Sequence, residues 1–320
     1  PHAMNCIDGR RISAAEAWLT QDVRARDNLD IISERWVRRV RFENHTAIGI
    51  DTELRGDSTF YSGDRVVLCA GSIGTPEILL RSGIGPEAEL TRLGIEKVVD
   101  APAVGARLLD HPGVAFFLRP KRGLSHRQAP LIQTVLRYSY RDNHDVDMQL
   151  QAGSTVPMLR TNLPFFSLMA SIGKPRGHGT IRWKSLKRGN RPVIESRFLE
   201  DPYDRAMALD SLRRCYELWQ TPSMRELATP CWPGTKVLTS PERLEAKIRT
   251  ICDSGYHPSG TVPMGPTPSK TAAIDGRGHV FGVQALLVAD ASAMPTIPSS
   301  NINLPTLMMA ERFAEWLSGS

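Results

Sequence analysis

The residues best able to do chemistry lie late in the chain, in the run Asp253-Ser254-Gly255-Tyr256-His257-Pro258-Ser259-Gly260-Thr261. His257 sits in a loop of small and turn-forming residues, and a neutral imidazole, with a reference pKa of about 6.5, can accept a proton at neutral pH. By itself such a histidine is more often a bystander than a base, because a motif needs its context. Downstream, Ala285-Leu286-Leu287-Val288-Ala289-Asp290-Ala291-Ser292 is an apolar run ending in small and acidic residues, and Asn301-Ile302-Asn303 follows a Pro/Ser-rich segment. An asparagine amide can donate N–H to a developing oxyanion without competing for its proton. Asn301 and Asn303 can equally be caps of the helix that follows. A third candidate lies early in the chain. Ala70, Gly71, Ser72 and Gly74 carry almost no side-chain bulk, so a ligand can approach the backbone closely.

Ordinary elements have to hold these residues. Val66 to Cys69 reads as a strand buried on both faces. The helix after it is expected to start with Thr75 as cap and Pro76 in its first turn, and to stop at Gly83 and Gly85. Pro86 to Leu93 reads as a second helix closed by Gly94. Upstream, Pro1 to Arg11 reads as loop, and Ser13 with Glu16 forms a capping box for a short helix to about Leu19. Asn28 to Ser33, Trp36 to Phe42, Ala47 to Leu54 and Thr59 to Ser62 read as a small antiparallel set. Ile95 to Val99 reads as a short strand, and His111 before Pro112 as loop geometry.

Further on, Val114 to Leu118, Val146 to Gln151, Phe165 to Ile172, Gly179 to Trp183 and Val193 to Phe198 read as strands of one sheet. Leu131 to Tyr140 is expected to be a helix between them, and His178 a surface residue of a turn. Asp201-Pro202 caps a helix running to about Gln220, whose Ala208, Leu212, Cys215 and Leu218 keep helical spacing on one buried face. Cys231 to Gly234 reads as loop, Ser240-Pro241 begins a helix ending near Ile251, and a last helix opens near Leu304-Pro305 and runs through Trp316.

Gly71-Ser72, Thr75-Pro76, Ile78-Leu79 and Ser82-Gly83-Ile84-Gly85 together resemble the second signature of the glucose–methanol–choline (GMC) oxidoreductases, which are FAD-dependent alcohol oxidases and dehydrogenases. The segments around His257 and Asn301 resemble the carboxyl-terminal region of the same family. The resemblance covers nearly the whole chain. It implies a mixed α/β, two-domain fold: a Rossmann-like FAD-binding domain, incomplete here, and a substrate domain with an antiparallel sheet covered by helices. The implied domains are 1–112 and 263–320 for FAD and 113–262 for substrate. It also implies that His257 is the catalytic base and that Asn301 sits beside it across the substrate, the asparagine variant being that of choline-oxidising members. FAD would be met by Ala70, Gly71, Ser72, Asp290, Ala291, Asn301, Ile302 and Asn303, and at its adenine end by the backbone of Val37. Tyr256 would line the substrate pocket, or would simply be a packed aromatic. The implied reaction is oxidation of a primary alcohol to an aldehyde, with hydroxynitrile cleavage on the same scaffold, or a non-catalytic remnant, as alternatives.

Composition narrows the remaining classes. With 41% hydrophobic and 23% charged residues the chain is that of an ordinary globular protein. It has no apolar run near the roughly 18 residues of a membrane span. The net charge of +6 raises nucleic acid as a partner, but the basic residues occur in short clusters mixed with acids, so none is expected. The five scattered cysteines show no metal-ligand spacing, which points to reduced thiols in a cytoplasm and to no metal. No G-x-G-x-x-G, the turn that holds the FAD pyrophosphate, occurs anywhere. The expectation is therefore that the amino-terminal FAD-binding segment is missing or supplied by another chain, and that this chain alone binds FAD weakly or not at all.

Overall fold

The computed structural model describes residues 5–125, 131–141, 146–157 and 164–319, so the first four residues of the expected amino-terminal loop lie outside it. Two apolar cores organise these residues. One belongs to a six-stranded antiparallel sheet in the order Ile132–Tyr138, Met148–Pro157, Pro164–Ile172, Pro112–Pro120 and Ala228–Trp232, with Cys252–Ser254 paired to the start of Pro112–Pro120. Alternation along the strands separates its faces. Val114, Phe116, Leu118, Met148, Leu150, Leu168 and Ala170 pack beneath the helices Pro202–Gln220 and Pro241–Ile251. Gln149 and Gln151, of opposite parity on the same strand, are also buried, at 6% and 7% exposure, but on the other face. Asp201 and Ser240 cap the two helices as the sequence indicates, Asp201 Oδ1 accepting from the backbone of Tyr203 and Asp204.

The second core lies between the sheet of Trp36–Glu43, Thr46–Leu54 and Asp57–Ser62, the helix Gly71–Arg81, and a parallel pair made by Val66–Leu68 with Leu286–Val288. The Ser13–Glu16 capping box and the closure of Glu87–Leu93 by Gly94 are present. The last helix is Asn303–Ser318. Among the described residues no helix is long and apolar enough to cross a membrane.

Several sequence expectations are corrected. Leu131 to Tyr140 is not a helix: Ile132–Tyr138 is a strand paired antiparallel with Met148–Pro157, and that long-range pairing overrides local propensity. Thr180–Arg182 and Val193–Glu195 form a separate two-stranded sheet, and Ile181 and Trp183 join the other core. Residues 28 to 33 form no strand, Val99–Asp100 is all that remains of the Ile95 to Val99 expectation, and Cys231 and Trp232 end a strand instead of lying in a loop. Val66–Leu68 is not buried on both faces, since Val67 is 38% exposed.

The helix Gly71–Arg81 begins before Thr75, with Ala70 at its N-cap and Pro76 inside it. A proline there removes the N–H that would bond the carbonyl of Ser72 four residues earlier. Thr261 Oγ1 donates to that carbonyl instead, at 2.8 Å. The bond that accommodates the proline also joins the helix to the loop carrying His257.

Candidate active site

Asp110 seats the histidine loop. Its Oδ1 accepts the backbone N–H of His111 at 2.7 Å and of His257 at 2.9 Å, and its Oδ2 accepts the Ser254 hydroxyl. Leu109 and Ser259 exchange backbone hydrogen bonds, and Gly255 donates to the His111 carbonyl at 2.8 Å. A Cβ on Gly255 would stand 2.9 Å from that carbonyl oxygen and 3.2 Å from His257 Nδ1, so only glycine allows this approach.

The loop brings the His257 ring between two partners. His257 Nδ1 lies 2.8 Å from Nδ1 of His111, the rings meeting edge to face, and His257 Nε2 lies 3.0 Å from Asn301 Nδ2. Burial holds the His257 pKa below the ordinary imidazole value, with the Asp110 charge opposing. His111 is 2% exposed, and burial, with the neighbouring His257 and Lys174, pushes it down to about 4. Both rings are therefore neutral at pH 7.

Asn301 is presented by a strap, Pro295 to Ser300, which lies outside the named helices and strands and whose carbonyls are met by side chains. Arg107 Nη2 donates to the Pro295 carbonyl at 2.6 Å, Lys174 Nζ to Ile297 at 2.5 Å, His111 Nε2 contacts Pro298 at 2.9 Å, and Arg137 Nη2 donates to Ser299 at 2.9 Å. Backbone without a ladder needs such partners when it is enclosed. Gln149 and Gln151 each place Nε2 near Asn301 Oδ1, at 3.3 and 3.4 Å.

The small-residue turn and the Asp290 strand end also converge. Asp290 Oδ2 accepts the Gly71 N–H at 2.9 Å and the Thr75 hydroxyl at 2.6 Å, while its Oδ1 accepts the Ser292 N–H at 2.7 Å. The carboxylate thus serves the amino end of helix Gly71–Arg81 in place of a local cap. The Ala291 carbonyl accepts from Gly260 of the histidine loop. Gly71 has φ +76° with open space where a Cβ would stand, and Ala70 is exposed. The Ser72 hydroxyl is buried without a partner, as are those of Ser259 and Ser292 nearby in the same network.

Other candidates fare differently. Tyr256 is 78% exposed with φ +61°, which excludes the packed-aromatic reading. Neither Asn301 nor Asn303 caps the last helix: Ile302 occupies the N-cap and no side chain bonds there. Val37 lies beside Arg81, whose Nη2 donates to its carbonyl at 3.1 Å, at the far end of the 11-residue helix from Gly71, about 15 Å away. His111, Asp110, Gln149 and Gln151 join the site in the structure without a motif of their own in the sequence. The Asp-His-Pro spelling was the one available signal for the first two, and loop geometry explained it as well.

Two family models described as GMC oxidoreductase match this chain, the amino-terminal one over residues 1–113 and the carboxyl-terminal one over residues 175–310. A 5-(hydroxymethyl)furfural oxidase of Methylovorus sp. (strain MP688) is 32% identical over 98% of this chain and 62% of its own length. An oxygen-dependent choline dehydrogenase of Photobacterium profundum is 30% identical over 100% of this chain and 61% of its own. Among solved structures, pyridoxine 4-oxidase from Mesorbium loti superposes with a TM-score of 0.91 at 27% identity, covering 99% of this chain and 63% of that one. The chain thus spans about three fifths of the length of these relatives, 61–63%. The amino-terminal model aligns from residue 1. The expectation of a missing amino-terminal FAD-binding segment is therefore not borne out.

Proposed function

The chain belongs to the GMC oxidoreductase family, and from that premise we propose that it oxidises a primary alcohol to an aldehyde with FAD as cofactor. The observation that carries this reading is the neutral His257 ring with Nε2 3.0 Å from the Asn301 amide. A substrate hydroxyl that displaces this direct contact and bonds to both groups loses its proton to His257 Nε2, while the Asn301 N–H meets the charge developing on oxygen. Asp110, on the backbone side of His257, favours the imidazolium that results. When bound, FAD supplies the acceptor for the hydride that leaves the carbinol carbon.

This chain's residues fit such a cofactor. Buried hydroxyls of Ser72, Ser259 and Ser292 lack protein partners beside the open, small-residue amino end of helix Gly71–Arg81. That setting suits a polar group able to hydrogen-bond these hydroxyls. Ala70, Gly71, Ser72, Asp290 and Ala291 would hold it on that side, Asn301, Ile302 and Asn303 along its reactive end, and Val37 at its far end. In this reading residues 1–112 and 263–320 carry the cofactor and 113–262 cover the substrate, with Tyr256 at the pocket's edge.

A neutral alcohol suits the site better than a quaternary ammonium, because the carboxylates of Asp110 and Asp290 are already engaged by donors. The test is steady-state turnover by the FAD-loaded protein on 5-(hydroxymethyl)furfural, aryl alcohols and choline. His257→Ala should lower kcat by about 100-fold or more, and unchanged turnover would remove His257 from the mechanism.

A further inference from the structure

The contacts of the site form one continuous chain from the Pro298 carbonyl through His111, His257 and Asn301 to Gln149 and Gln151. Its polarity follows from its fixed end. A carbonyl only accepts, so His111 Nε2 must carry the hydrogen that meets Pro298. His111 is enclosed and neutral, with Lys174 near it discouraging a second proton and the carbonyls of Pro298 and Gly173 too weak to reverse that. Its Nδ1 is therefore a bare acceptor. The 2.8 Å approach of the two Nδ1 atoms then needs a hydrogen from the His257 side, since two lone pairs facing each other there would repel. That leaves His257 Nε2 bare, and the group opposite is the donor end of Asn301. Asn301 is held that way round because its Oδ1 faces two glutamine Nε2 atoms. Every contact in the chain pairs one donor with one acceptor under this assignment.

We propose that His111 is a positioning residue that fixes His257 as the Nδ1–H tautomer and so presents a bare Nε2 to the substrate hydroxyl. The inference rests on the reading of His257 as the base and adds what determines which nitrogen does the work. His111 itself touches no substrate. The charged groups around the pair are Asp110, which accepts both backbone N–H groups, and Lys174 and Arg137, which are tied to strap carbonyls.

The experiment is proton–nitrogen correlation NMR of the 15N-labelled protein near pH 7, which reads the tautomer of His257 directly, combined with kinetics. Wild type should carry the proton on Nδ1. His111→Leu removes the acceptor and should bring the Nε2–H form into the spectrum, lowering kcat on the order of 100-fold with KM little changed. His111→Asn, whose amide oxygen can replace the acceptor, should keep the Nδ1–H form and recover most of kcat. His257 protonated on Nε2 in wild type overturns the proposal. So does an Nδ1–H form that survives His111→Leu. If that variant does not fold, the wild-type and His111→Asn spectra still decide. Turnover indifferent to His257 would sink both this inference and the function it rests on. A required His257 whose tautomer ignores residue 111 would sink this inference alone.

Discussion

A base is useful only in its unprotonated form, and the surroundings of His257 decide over which pH range that form exists. Burial lowers its pKa below the ordinary value, with Asp110 opposing. With His257 as the proposed base its neutral form is the active one, so kcat/KM should rise with pH and level off, with its acid limb below about 6.5. A limb at or above that value in the pH–rate profile would contradict the burial argument. Asp110→Asn removes the opposing charge and should move the limb lower still. In the proposed mechanism the Asn301 N–H meets the developing alkoxide, so Asn301→Ala should lower kcat about 100- to 1000-fold with less effect on KM. Both residues were legible as motif positions. His111 was not, because a histidine before proline is what a loop looks like, and its meaning lies in a ring 146 positions away.

Elements were legible where their ends carry their own partners. Ser13, Asp201, Ser240 and Gly94 each bond the backbone close by, and each marks a helix end correctly. The helix Gly71–Arg81 has no such local cap. Its amino end is served by Asp290 and its interior proline by Thr261, both remote in sequence, so a rule placing proline in the first turn started the helix too late. Asp290→Ala leaves the Gly71 and Ser292 N–H groups and the Thr75 hydroxyl without their acceptor, and should destabilise the fold by about 3 kcal/mol. Thr261→Val strips the donor from the Ser72 carbonyl at a cost of about 1 kcal/mol. Chemical denaturation of both variants measures this, and a loss for Asp290→Ala no larger than for Thr261→Val would refute the capping role.

At the scale of the whole molecule, the strap that delivers Asn301 is a junction of segments remote in sequence, tied down by Arg107, Lys174, His111 and Arg137. The neutral, buried His111 makes that junction sensitive to acid. Its folded pKa of about 4 lies below the unfolded value, so between about pH 6.5 and 4 the unfolded chain binds more protons and stability falls as pH falls. The loss from this one group is on the order of 3 kcal/mol by pH 4. Thermal unfolding across that window should show a shallower pH dependence in His111→Asn than in wild type, and identical slopes would mean His111 is not neutral in the fold. The sequence by itself determined the family signature, the capped helices, the His257 and Asn301 positions and the mixed α/β class, because each is written in adjacent residues whose chemistry acts over a few ångströms along the chain. Tertiary structure alone decided that residues 132–138 pair as a strand, that Asp290 caps a helix at Gly71, and that His111 stands behind His257. Those outcomes depend on which distant donors and acceptors are enclosed together. Enclosure, by removing water as the competing partner, is what makes a contact between remote residues decisive.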